Sequence, residues 1–174
     1  MGERDVAVAD QADALLALYD RALPEVYGYV VRRCPGQALA EDLTGEVFLA
    51  AVAAVQRGTV PELTTAWLIG VARHKLVDHW RREAREERSL HALADAEPAA
   101  AADWTDALDE GPALAALDRL GAHHRAALTL RYLDGLPVAE VAGHLGRTLH
   151  ATEALLVRAR HAFRTAYHEG SDRG

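Results

Sequence analysis

The stretch Val138–Arg160, VAEVAGHLGRTLHATEALLVRAR, carries the plainest architectural signal in the chain. Its first part sets Val138, Val141, Ala142 and Leu145 on one face of a short helix that stops at Gly146. A longer helix starts just beyond, with Thr148 placed to cap its N-terminus. Its apolar line runs Thr152, Leu156, Ala159, Phe163, the spacing of a buried stripe. Two helices joined by a tight glycine-containing turn make a helix-turn-helix unit, whose second helix fits a DNA major groove. Arg147, Arg158, Arg160 and Arg164 lie in or beside that second helix with one acid, Glu153, among them, a local charge that suits phosphate. The same pattern also serves an ordinary pair of packed helices, so the rest of the chain has to decide.

A chain of 174 residues makes one ordinary domain or two small ones. Half of its residues are hydrophobic, but aromatics are only 6% and Ala is abundant, so the core is expected to be built from Leu, Val and Ala. That is the composition of small helical bundles. No apolar run reaches the roughly 18 residues that span a bilayer. The polar start Met1–Asp10 has no signal-peptide pattern. No direct membrane insertion is therefore expected. A lone cysteine, Cys34, cannot form an internal disulfide, so a reducing cytoplasm is the expected compartment. The net charge of −7 argues against a simple DNA-coating protein, but that charge is unevenly spread and leaves basic segments free to meet nucleic acid. Ser89 to Asp118 holds seven acids and no Lys or Arg, whereas Arg73 to Arg88 holds six bases against four acids.

Helical spacing marks one helix over about 10–33, kinked at Pro24, a second over 38–56 and a third over 65–88. On the second, Leu39, Leu43, Val47, Phe48, Ala51, Val52 and Val55 share one side and Glu41, Asp42 and Glu46 the other. On the third, Trp67, Leu68, Val71, Ala72, Leu76 and Trp80 form the apolar face. After an Ala- and acid-rich linker, Pro112 opens a helix with Leu114, Leu117 and Leu120, and another runs from 123 to 133. No window alternates as a strand does. The expected fold is all-α: two small helical domains, 10–88 and 112–168, joined by an acidic linker, 89–111.

Three segments in this order resemble the bacterial RNA polymerase sigma factors of the small, extracytoplasmic-function type. Ala40–Leu49, AEDLTGEVFL, is similar to the family's polymerase-binding helix. Ala66–Arg82, AWLIGVARHKLVDHWRR, is similar to its minus-ten promoter helix, and the helix-turn-helix resembles its minus-thirty-five reader. The likeness covers most of Leu15 to Arg164. It implies an N-terminal region 2-like bundle, a C-terminal region 4-like domain, and a role in promoter recognition, melting and initiation. It also implies core RNA polymerase, promoter DNA and an anti-sigma factor as partners.

The resemblance places the polymerase contact on Asp42, Leu43, Glu46 and Phe48. Asp42 and Glu46, four residues apart, suit Arg on a partner helix, or else are a solvated acidic face. For the minus-ten element it implies Arg73, Lys75, Arg81 and Arg82 tracking the strand's backbone. Thr59, Thr64, Thr65 and His74 then form a base pocket and its rim, as melting needs a surface that binds the open strand better than the duplex. His74 stands where the family usually has Asn. Trp67 and Trp80 fall on the apolar stripe and read as core before base-stacking platforms. In the C-terminal domain Thr148, His150, Ala151, Glu153 and Ala154 would face base edges, and Arg147, Arg158 and Arg160 would hold phosphates. Glu153 stands where the family often has Lys, and Leu155 where it often has Arg. Two lost cations should weaken nonspecific binding, while Glu153 could accept from a cytosine N4. The acidic linker is either a nucleic-acid mimic in a cationic polymerase channel or a flexible spacer.

An enzyme is not expected. His74 and His79 are five residues apart and His123–His124 adjacent, so neither pair shares a helical face, and no HExxH, CxxC or phosphate-binding glycine loop is present. No metal and no cofactor are indicated. A conventional helix-turn-helix regulator would carry a dimerisation or ligand-binding domain, for which the chain offers no heptad helix or pocket-forming region. A degenerate sigma-like protein that binds polymerase or DNA without initiating stays open because of Glu153 and Leu155.

Overall fold

Leu15, Leu18, Ala22, Val26 and Val30 recur every three or four residues and all are buried, which makes α1 (Glu3–Val31) a one-sided helix. It begins earlier than the apolar spacing indicates, and Ala, a good helix former, recurs at positions 7 and 9. It also runs through Pro24, whose missing N–H costs one ladder bond on an exposed position. The computed structural model describes residues 3–90 and 110–171, and every regular element among them is helical. Gly36, at φ +85°, turns the chain into α2 (Gln37–Gln56). Ala40, Leu43, Val47, Ala51 and Val55 of α2 pack against α1, and Tyr19 meets Phe48 edge-on with ring centroids 4.7 Å apart. Cys34, buried after α1, donates its thiol to the Val30 carbonyl at 3.3 Å, a packing role.

The third helix, α3 (Thr65–Leu90), starts on Thr64, whose hydroxyl oxygen accepts the Trp67 amide at 3.1 Å. Backbone contacts divide the chain into two units either side of the Leu76–Val77 bond, so α3 contributes its first half to one and its second to the other.

The second unit continues with α4 (Glu110–Asp118), α5 (Ala122–Leu128), α6 (Val138–Leu145) and α7 (Leu149–Ser171). The helix expected over 123–133 is regular only to Leu128, after which Thr129–Leu133 widens into a π turn. There the Asp134 amide donates to the Thr129 carbonyl at 3.0 Å, and Gly135 at φ +68° reverses the chain towards α6. Leu117, Leu120, Leu128, Leu155, Leu156 and Phe163 form the core, with Ala116, Ala127 and Ala159 letting the helices approach. Of the expected linker, residues 89–90 belong to α3 and 110–111 to α4. The stretch 91–109 lies outside the described residues.

Candidate nucleic-acid and polymerase interfaces

The helix-turn-helix is built by three small devices. Gly146 takes φ +63° and ψ 39°, the left-handed conformation that lets the Arg147 amide close back on the Ala142 carbonyl at 3.0 Å. Two residues later the Thr148 hydroxyl oxygen accepts the Ala151 amide at 3.2 Å and caps α7. Thr152, fully buried, donates its hydroxyl to the Thr148 carbonyl at 2.9 Å, so its polarity is satisfied inside the core. Leu149, His150 and Glu153 stand exposed on the outer face of α7's first turns, with Ala151 and Ala154 half-buried beside them.

The cations around this face are held in different ways. Arg160 donates to the Tyr132 hydroxyl at 3.2 Å, which fixes its direction. Arg147 is half-buried, and burial, then the like charges of Arg88 and Arg158, press its guanidinium below the ordinary value. Burial and then Arg158 likewise lower His124. Leu155 requires a correction. It is 3% exposed and belongs to the hydrophobic core, so an arginine's absence there removes no phosphate contact. The apolar residue is what this bundle needs.

Along α3, His74, Asp78 and Arg82 are exposed at four-residue spacing, so an acid sits between the two candidate DNA contacts. Lys75 pairs with Glu46 at 3.3 Å, joining two residues that the sequence assigns to different partners, DNA and polymerase. Arg73 is half-buried, and Arg81 donates to the His144 carbonyl. Of the three pocket threonines, Thr59 donates to the Ala54 carbonyl at 3.2 Å and Thr64 caps α3, while Thr65 is half-buried. Thr64 is thus first a helix cap. Trp80 is buried and Trp67 half-buried, as their place on the apolar stripe leads one to expect.

On α2, Asp42 is exposed, but Leu43 and Phe48 are only 2% and 8% exposed. Leu43 is a core residue that shapes the surface from behind, and Phe48, though mostly buried, lines an apolar groove beside it. The exposed apolar surface of these two helices lies on other residues. Leu16 and Leu49 are 72% and 71% exposed, and with Tyr19 and Val52 they rim an apolar groove between α1 and α2. Val52, expected on the buried side, faces outward. The signal for this groove is present in the sequence: the apolar positions of α1 and α2 are too many for one stripe, and the surplus has to be exposed.

Comparison with known proteins matches the chain in two parts. The chain matches the family profile of sigma-70 region 2 over residues 18–86 and that of sigma-70 region 4 over residues 111–162. It is 35% identical over 158 residues to the ECF RNA polymerase sigma factor BldN of Streptomyces coelicolor, covering 88% of this chain and 60% of that protein. It is 32% identical over 144 residues to the ECF RNA polymerase sigma factor SigL of Mycobacterium tuberculosis, covering 80% of this chain and 81% of that protein. In fold it is similar to the sigma factor RpoE of Bartonella quintana, solved in complex with the anti-sigma factor NepR, with a TM-score of 0.52 and 22% identity over 90% of this chain and 96% of that one.

Proposed function

The chain belongs to the extracytoplasmic-function group of the sigma-70 family, and on that premise we propose that it binds core RNA polymerase and directs promoter recognition, melting and initiation. The observation that carries this reading is the capped helix-turn-helix whose first turns expose His150 and Glu153. It follows, in the same chain, a helical body with an exposed apolar and acidic face. The working division is 10–88 for polymerase and the minus-ten element, 89–111 for the linker and 112–168 for the minus-thirty-five element.

Polymerase docks on the outer side of α1 and α2, where Asp42 offers charge and Leu16, Leu49 and Val52 offer apolar area that water covers poorly. His74, Arg82 and Arg73 meet the opened minus-ten strand, with Lys75 able to exchange Glu46 for phosphate because both side chains are partly exposed. Thr59 and Thr65 lie at the rim of the base pocket. In the C-terminal unit His150, Ala151, Glu153 and Ala154 face base edges, while Arg147, Arg158 and Arg160 set register on phosphates. The protein performs no covalent chemistry and works in the cytoplasm beside the polymerase. Because the solved relative RpoE is held by an anti-sigma factor, an anti-sigma factor is also the expected regulator here.

Run-off transcription with purified core polymerase tests the reading. Promoter-dependent transcripts are expected only when this chain is added. Polymerase binding without transcripts would favour a non-initiating sigma-like regulator, and DNA binding without polymerase binding an ordinary helix-turn-helix regulator.

A further inference from the structure

A cavity of about 450 Å³ lies within the second unit, lined by the last turns of α3, the start of α5 and the α6–α7 turn. Four guanidinium side chains converge on it: Arg81, Arg85, Arg88 and Arg147. Among the described residues, none of the ion pairs involves any of the four. Two acids of α3 are hydrogen-bonded beside it, and Glu87 reaches Ala122 of the cavity's own wall. Glu83 pairs with Arg125 at 3.3 Å, and both oxygens of Glu87 accept the Ala122 amide at 3.1 Å. Arg81 and Arg88 each spend one donor on a backbone carbonyl, which leaves most of the twenty-odd N–H directions of such a cluster (roughly five per guanidinium) without a protein acceptor.

A second observation points to the same place. Among the described residues the buried side-chain nitrogens without a hydrogen-bond partner are Trp80 Nε1 and His123 Nε2, and both residues line this cavity. An orphaned buried polar atom costs free energy unless something satisfies it. The indole N–H is a donor only, and an imidazole nitrogen can carry a proton, so both orphans can be satisfied by an acceptor. Burial, then the charges of Arg147 and Arg88, also depress His123, and the Glu87 carboxylate offsets them only in part.

We propose that this cavity is a binding site for a small oligophosphate anion, a chain of two to four phosphoryl groups, held by Arg81, Arg85, Arg88 and Arg147. Guanidinium forks match phosphate oxygens in pairs, so phosphate fits this donor set better than a point anion does. The volume is in the range of small-molecule sites and larger than one phosphate or sulfate fills. Four positive charges are neutralised by an oligophosphate, and only half neutralised by a dicarboxylate. Arg147 also belongs to the proposed promoter contacts, so an occupied cavity withholds a DNA-binding cation. Such a site goes beyond the sigma-factor reading and is tested without polymerase or DNA.

The experiment is isothermal titration of the full chain with inorganic tripolyphosphate at physiological ionic strength, beside sodium sulfate at matched ionic strength. Saturable 1:1 binding of tripolyphosphate is expected, with sulfate weaker by at least about tenfold because it engages fewer forks. Arg85→Ala and Arg88→Ala, both at exposed positions whose loss opens no core, should each weaken binding by about tenfold. Arg85→Lys, which keeps the charge but not the fork, should fall between. Thermal melts of each variant close to that of the parent identify lost binding as loss of the site. Binding that does not saturate, that sulfate reproduces, or that survives the Arg85→Ala/Arg88→Ala double substitution overturns the proposal.

Discussion

Arg125 is almost wholly buried, and its guanidinium is spread over four acceptors: the carbonyls of Leu117 at 3.3 Å, Asp118 at 3.4 Å and Leu120 at 2.8 Å, and the Glu83 carboxylate at 3.3 Å. It satisfies carbonyls that the end of α4 leaves open and puts positive charge at a helix C-terminus. Arg125→Ala is expected to cost about 1–3 kcal/mol, since it leaves buried carbonyls without a donor, while Glu83 keeps solvent and His79. Arg125→Lys should cost less, and denaturant unfolding of both variants checks the order. Two neighbours make the same unit sensitive to acid. His123 and His124 are both held below the ordinary 6.5, chiefly by burial. The unfolded chain therefore takes up these protons first. Their contribution to stability is complete above pH 6.5 and is lost as the pH falls through the depressed folded values. The unfolding midpoint should drop between about pH 7.5 and pH 5.5, and a His123→Gln/His124→Gln variant should flatten that slope. Glu153 poses a question of specificity instead. If α7 reads bases as proposed, the exposed Glu153 carboxylate would accept from a cytosine N4 and repel nearby phosphate. In selection from duplexes randomised across the minus-thirty-five element, Glu153→Ala should relax the preference at one base pair by about 1–3 kcal/mol. An unchanged preference would remove Glu153 from base reading.

The helix-turn-helix depends on how α6 stops and α7 starts. Gly146 occupies a left-handed conformation at φ +63°, where a side chain is strained, and an added Cβ would also stand 3.4 Å from the Arg81 guanidinium. Gly146→Ala should cost about 1–2 kcal/mol on backbone strain alone. Thr148→Ala removes the cap on α7 and should cost about 1 kcal/mol. The pair shares one turn, so their combined effect in denaturant unfolding should depart from the simple sum. Both variants should weaken duplex binding through lost alignment of α7, although neither change removes a cation. The π turn at Thr129–Leu133 belongs to the same scale: it absorbs one residue of slack before the Asp134–Gly135 reversal and thereby sets where α6 begins.

For the molecule as a whole, the exposed apolar groove of α1 and α2 is the feature with the largest expected consequence. Leu49→Glu should lower affinity for core polymerase by at least about tenfold, the effect of losing an interface anchor and placing a charge in its pocket. Because Leu49 buries little in the free chain, the melting temperature should stay close to the parent's. Fluorescence anisotropy with labelled chain and purified core polymerase measures the first, and unaltered duplex binding excludes a general defect. Much of the molecule was legible in one dimension. Helical period and glycine and proline punctuation marked α2, α3, α6 and α7 to within a few residues, because amphipathic spacing is a local property that survives any arrangement of the helices. The Thr148 cap and the Gly146 stop were legible for the same reason. What required three dimensions was the sorting of apolar and charged residues by neighbour. Leu43, Phe48 and Leu155 went inside, Leu49 and Val52 outside, Lys75 onto Glu46, and Arg125 into the core as a clasp. Periodicity gives a side chain a direction around its own helix axis, but which directions are covered depends on partners far along the chain, and only packing supplies them.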